Sequence, residues 1–141
     1  MKILVTGDRN WTDKNIIKTA LSEYGATELI EGEARGADSL AREAAEELGI
    51  PVTKVPAKWY DDNGKFRVWA GPERNKWMLD MKPDLVLAFH NDLANSKGTR
   101  NCVMQARSKK FRYDVFLFGN TSAAYATKGV DAILSGELKQ T

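Results

Sequence analysis

Short apolar runs alternate along this chain with longer stretches of helical period. Five runs predict strands: KILVT at 2–6, TELIEG at 27–32, PVTKVPA at 51–57, DLVLAFH at 84–90 and YDVFLFG at 113–119. The first is apolar almost throughout, as a strand buried on both faces is, and the third is tolerant of an edge because its prolines cannot donate to a ladder. Between them, Ile16, Ile17, Ala20 and Leu21 share one helical face behind Thr12 or Asp13 as cap, and the helix ends near Gly25. Leu40, Ala41, Ala44 and Leu48 predict a second helix from about Asp38 to Leu48, closed by Gly49. Pro72 suits the first turn of a third helix with Trp77, Met78 and Met81 on its apolar face, and a fourth opens at Gly98 and Thr99.

That alternation predicts an α/β fold: a Rossmann-like three-layer domain with a five-stranded, mainly parallel sheet and helices on both faces. Right-handed crossovers give strand order 3-2-1-4-5, with a crevice at the carboxyl ends of strands 1 and 4 where the winding reverses. No internal repeat or linker divides the chain. Residues 1–119 form the domain in this reading, and 120–141, small and polar with only Val130, Ile133 and Leu134 to anchor them, form a loosely packed C-terminal extension.

The topology turns scattered loop residues into one candidate site. Strand 1 runs into TGDRNW, strand 2 into EGEARGAD, strand 4 into FHNDLANSKGT, and the loop after strand 3 carries AGPERN, so all four meet the same rim. The ligand-binding set is Gly7, Arg9, Trp11, Gly32, Arg35, Gly36, Asp38, Arg74, Asn75, His90, Gly98 and Thr99. Glycines permit close approach of a ligand, helix N-termini favour anions, and arginine forks match phosphate or carboxylate. Each position also has a plainer reading: Asp38 as a helix cap, Trp11 as a staple onto the first helix, Glu73 and Asn75 as ordinary first-turn residues, Arg9 and Arg35 as solvated side chains. Trp59 and Trp69 read either as a lid over an aromatic ligand or as an accessory core. His90 lacks a Cys or Asp partner at readable spacing and reads as a capping or lining group. Cys102, though near a helix start, reads as a small buried side chain.

Composition narrows the partners. The 141 residues are 43% hydrophobic with a formal net charge of +2, acidic and basic residues being mixed, so no global field announces a nucleic-acid partner. The lone Cys102 excludes an internal disulfide and fits a reducing, cytoplasmic setting; no Cys/His spacing implies a metal, and no cofactor is expected. The apolar start is too short for a signal peptide or membrane span. TGDRNW lacks the G-x-G-x-x-G fingerprint of dinucleotide enzymes.

The ordered set VTGDRNWTD, EGEARGADSLARE, PAKWY…AGPERNKWM, PDLVLAFH and SKGTRN, over roughly Lys2 to Gly119, resembles the circularly permuted YpsA-related (YspA-like) branch of the SLOG superfamily, found in bacteria and phages. The resemblance implies a Rossmann-like fold, nucleotides or nucleotide-derived ligands, and a homo-oligomer. Relatives in that superfamily include the Lonely Guy phosphoribohydrolases and DNA processing protein A. The Lonely Guy signature Pro-Gly-Gly-x-Gly-Thr-x-x-Glu is similar to this chain at Gly98 and Thr99, but Asn95 and Ser96 replace the doubled glycine and Cys102 stands where the glutamate assists cleavage. The resemblance therefore keeps the phosphate cradle and loses the acid. If the chain cleaves an N-glycosidic bond, another carboxylate must serve, Asp38 first among Glu31, Glu33 and Glu73.

Two functions follow as expectations. The first is binding of a nucleotide-like small molecule, as sensor, sequestering protein or slow nucleoside-phosphate or ADP-ribose-type glycosidase. The alternative is single-stranded nucleic-acid binding, for which Lys97, Arg100, Arg107, Lys109, Lys110 and Arg112 supply a basic flank and tryptophans supply stacking surfaces.

Overall fold

The computed structural model describes residues 1–116. Its strands are β1 (Lys2–Gly7), β2 (Glu28–Glu31), β3 (Val52–Lys54), β4 (Leu85–Phe89) and β5 (Tyr113–Phe116), and its helices are α1 (Lys14–Glu23), α2 (Ala37–Glu47), α3 (Ala70–Asp80) and α4 (Gly98–Ser108). The strands form one sheet in the order β3-β2-β1-β4-β5, with every pairing parallel. The alternation of apolar runs and helical periods thus led to the observed topology. The boundary at residue 119 and the C-terminal extension lie outside the described residues.

Burial on both faces explains the apolar strands. Ile3, Val5, Leu29, Leu85, Leu87 and Phe89 pack against Ile17, Leu21, Ala41 and Ala44 of α1 and α2 on one face. Leu4, Ile30 and Val86 pack against Met78 and Leu79 of α3 and Cys102 and Ala106 of α4 on the other. Residues alternating along one strand therefore feed two cores, as the period of two requires. Asp13 caps α1 by accepting from the Ile16 N–H at 3.2 Å.

Three local expectations are corrected. Leu48 is exposed, because α2 ends at Glu47 and Leu48 sits at its C-cap with solvent around it. On α3 the buried pair is Met78 and Leu79, whereas Met81 is exposed just past the helix end and Trp77 is only partly buried, beneath the Lys58 ammonium. Asp38 is not the cap of α2: Gly36 holds that position with φ +71° and no side-chain cap bond, and Asp38 lies inside the first turn.

Candidate functional site

The carboxyl ends of β1, β2 and β4 and the N-termini of α3 and α4 surround a cavity of about 810 Å³. Of the sequence-predicted residues, Gly7, Arg9, Gly32, Arg35, Asp38, Arg74, His90, Gly98 and Thr99 line it, so residues from four separate loops do meet. Three do not. Trp11 is only 3% exposed, edge-on against Phe89 and donating its indole N–H to the Asp13 carbonyl, so its ring is core and offers no face to a base. Asn75 is buried between helices, its amide donating to the Gly98 carbonyl and to Asn101 Oδ1 at 3.2 and 3.1 Å. It positions the start of α4 and is not among the cavity-lining residues.

Gly36 is the third. A β-carbon there would overlap the Asp8 and Arg9 backbone carbonyls, so this glycine lets the turn before α2 pass directly beneath the loop after β1. The Asp8 carbonyl accepts the Ala37 N–H at 3.0 Å and locks the crossing. Gly7 serves the same junction from above: a β-carbon would lie 2.5 Å from the Phe89 carbonyl oxygen and 2.6 Å from Ala37 Cβ.

The loop after β2 carries an arrangement that residue spacing did not disclose. The backbone N–H groups of Gly32 and Ala34 both donate to Asp38 Oδ2, at 3.1 and 3.3 Å, and the N–H between them, of Glu33, donates to Glu31 Oε2 at 2.7 Å. Three successive N–H groups, which an open glycine loop would offer to a phosphate, are committed to the chain's own carboxylates. Glu33 adopts φ +59° to complete this. Arg74 closes the other side, donating from Nη1 to the Gly32 carbonyl at 2.6 Å and from Nε to Asn75 Oδ1 at 3.1 Å.

Both carboxylates are buried, Asp38 at the cavity wall and Glu31 behind it. Burial pushes the Asp38 carboxyl up to about 6, against the opposing pull of Arg74 and the Ala34 and Gly32 N–H groups. Burial pushes Glu31 up to about 7, the Glu33 N–H pulling it down and the Asp38 charge adding to the rise. Such values suit groups that exchange protons near neutrality. Burial lowers His90, whose Nδ1 accepts the Asp92 N–H at 2.9 Å, so the ring is a neutral lining group. Cys102 is fully buried, and burial raises its thiol to about 12, which leaves it inert.

The start of α4, which has no acidic residue in its first turn, lines the same cavity as Asp38. Lys97 is the N-cap of α4, and Ser96 Oγ just ahead of it accepts the Thr99 and Arg100 N–H groups at 3.1 and 3.4 Å, so the serine satisfies two first-turn donors. Lys97 and Gly98, just ahead of those N–H groups, line the cavity with Ser96. Ser96 lies outside the ligand set read from the sequence, in which Lys97 belongs only to the basic flank, although a serine three residues ahead of Thr99 is a readable signal of a helix start.

The aromatic loop is a built hairpin. Tyr60 and Phe66 form an antiparallel bridge, and Asp61 Oδ1 accepts the Asn63 and Lys65 N–H groups at 2.9 Å each. Arg67 ties it to α3 through Glu73 at 2.7 Å. Trp59 stacks on Phe66 and lines the cavity, whereas Trp69 is 75% exposed and outside the lining. The basic flank is divided. Lys97 lies at the cavity, Arg107 and Lys109 lie at the other end of α4, about 15 Å away at 1.5 Å per residue, and Arg112 rests over the Tyr24 ring.

Among the described residues no helix is long and apolar enough to cross a membrane, and no group of three or more His, Cys, Asp or Glu residues is placed to hold a metal ion. Residues 1–61 match the model of the family described as YspA, cpYpsA-related SLOG family, in agreement with the resemblance carried by the sequence motifs. The X-ray structure of DNA processing protein A from Streptococcus pneumoniae is similar over 98% of this chain and 57% of that chain, with a TM-score of 0.66 and 16% identity. The chain thus spans under two thirds of that protein, and the likeness establishes the Rossmann-like fold. No curated protein matches the chain significantly.

Proposed function

We propose that the cavity binds a nucleotide or nucleotide-derived small molecule. One observation carries this reading: the acid-free N-terminus of α4 with Lys97, the loop arginines Arg9 and Arg35, and the buried carboxylate of Asp38 all line a single cavity. Helix dipole and cations favour a phosphate at one end. Asp38, whose two backbone bonds both fall on Oδ2, keeps acceptor capacity for a ribose hydroxyl at the other. Trp59 provides an aromatic wall for a base. A cavity of about 810 Å³ lies within the usual 300–1,000 Å³ of small-molecule sites. The family match supports the same reading, since the resemblance implies nucleotide-derived ligands.

Catalysis, in this proposal, is slow or absent. Cys102 cannot replace a catalytic glutamate, being buried and protonated. Asp38 is the one cavity-lining carboxylate raised toward neutrality, and so the candidate acid or base. The test is calorimetry with a panel of nucleoside monophosphates and ADP-ribose derivatives, with chromatography of the same mixtures for released base. Arg35→Ala is expected to weaken binding by about 1.5–3 kcal/mol, the range for a charge-assisted hydrogen bond. Unchanged affinity in a folded variant removes Arg35 from the site. Rapid release of base, lost in Asp38→Asn, makes the protein a hydrolase.

A second reading, single-stranded nucleic-acid binding, is favoured by the hairpin. Tyr60, Phe66, Val68 and Trp69 are exposed together beside Lys58 and Lys65, a combination that suits stacking bases and a phosphate backbone. The division of the basic flank weighs against it, because phosphate neutralisation needs cations along one groove.

A further inference from the structure

Glu31 is fully buried at the end of β2, and its Oε1 has no hydrogen-bond partner. Its Oε2 accepts the Glu33 N–H. An ionised carboxylate with one oxygen unpartnered in the interior is expensive, whereas the neutral acid leaves only a hydroxyl unpaired. The charged groups around it do not reverse this. Glu33 on its own loop and Asp38 on α2 oppose its charge, and Arg42 on α2 favours it less strongly than burial opposes it. Lys54, its register partner on β3, is exposed. Arg74 from α3 acts on Asp38. On the other side β1 contributes only Val5 in register.

We propose that Glu31 is a positioning residue for the cavity loop: as a neutral acid it holds the Glu33 N–H and completes, with Asp38, the fixing of Gly32 to Ala34, and loss of its proton loosens that loop and weakens anion binding. The last clause rests on the cavity's being an anion site; the others stand without it. Ionising Glu31 places a second negative charge behind Asp38 within one short loop. The proton leaves to solvent; the Glu33 N–H favours the ionised form, but the charged Oε1 has no partner in the interior, and on this proposal the carboxylate turns outward to water and gives up that N–H. Glu33 then loses what holds it at φ +59°.

The experiment is a pH titration of the free protein by nuclear magnetic resonance, following the Glu31 carboxyl carbon and the Glu33 amide, beside sulfate binding at pH 6 and pH 8. Sulfate keeps its charge across this range. Glu31 is expected to titrate near pH 7, in line with its raised value of about 7, and the Glu33 amide to move with the same midpoint. Glu31→Gln, which retains an acceptor for that N–H, is expected to keep the amide position and abolish its titration, whereas Glu31→Ala loses both. Sulfate affinity is expected to fall severalfold from pH 6 to pH 8 and to fall less in Glu31→Gln, Asp38 accounting for the remainder. A Glu31 midpoint near 4.5, or an amide indifferent to it, overturns the proposal, and the wild-type titration decides this even if a variant fails to fold. Sulfate that binds at neither pH removes the anion site while the carboxyl and amide titrations still judge the positioning role.

Discussion

Replacing Gly36 by alanine tests why this loop needs a glycine where it crosses β1. Two costs are separable. The first is conformational: φ +71° with ψ −121° lies outside the left-handed helical well, in a region nearly confined to glycine, and costs an L-residue about 1–3 kcal/mol. The second is steric, because the new methyl would overlap the Asp8 and Arg9 carbonyls, which are backbone and cannot rotate aside. Relief by backbone movement costs about 1–3 kcal/mol, giving about 2–6 kcal/mol in total. Moving Asp8 also strains the bonds its carbonyl accepts from Ala37 and Trp11, at 3.0 and 3.2 Å. Gly49 supplies the comparison, since it too has a positive φ, +72°, and a methyl added there would meet nothing within 4 Å, so Gly49→Ala carries a positive-φ cost without a clash. Urea unfolding of the two variants, compared at equal m, measures the difference directly. Gly36→Ala is expected to lose at least about 1 kcal/mol more than Gly49→Ala and to weaken nucleotide binding through the displaced Arg9 loop. Equal losses would refute the close-packed crossing, and Gly36 would then be an ordinary turn glycine.

The buried carboxylates make stability fall as pH rises. Folded Asp38 and Glu31 sit at about 6 and about 7 against ordinary values of 3.8 and 4.5, so the unfolded chain releases both protons first and folding weakens from about pH 4 to about pH 7, by up to about 3 kcal/mol for each at 1.36 kcal/mol per unit. Asp38→Asn and Glu31→Gln are each expected to flatten part of this decline in urea midpoints taken at pH 4.5 and 8; a wild-type midpoint that holds steady contradicts the burial argument. For nucleic acid, weak oligonucleotide binding at physiological salt is expected. Tight binding whose log affinity falls by about 0.7 per phosphate with log salt, and which is lost on replacing Trp69 and Tyr60, would favour the hairpin reading instead.

Periodicity made the fold legible because a parallel α/β sheet writes itself twice, in buried strands and in amphipathic helices. Leu4 and Val5 face opposite cores, so both had to be apolar, and Ile16, Ile17, Ala20 and Leu21 had to share a stripe. Strand order then followed from crossover handedness, and the site from strand order. Pattern failed where the chain's ends and crossings decide exposure. Leu48 and Met81 fit helical stripes but fall on C-caps, where the partner face has run out. Trp11 fits a ligand-facing loop by position but packs edge-on against Phe89, its backbone N–H donating to the Asp8 carbonyl and its indole N–H to the Asp13 carbonyl, so local bonds turn that segment back onto the core. Asn75 was readable as a polar first-turn residue, not as the bridge between α3 and α4, since its partners lie more than twenty residues away.

The segment Ile30–Glu43 shows how a loop that reads as an anion cradle can be filled from within the chain. Its glycines read as a backbone cradle for an anion, and the cradle exists, but Asp38 and Glu31 already occupy it from within the chain. A phosphate arriving at those N–H groups would have to displace two carboxylates that are themselves anions. In the proposed site an external anion would instead meet the cavity-lining cations Arg9, Arg35 and Lys97, since Ser96 Oγ already accepts the Thr99 and Arg100 N–H groups of α4. The internal carboxylates gain a different use. Held by backbone at the cavity wall and pushed toward neutral pKa, Asp38 would, in the proposed site, meet the uncharged, hydroxyl-bearing part of a ligand, and Glu31 behind it would set how much negative charge that wall can bear.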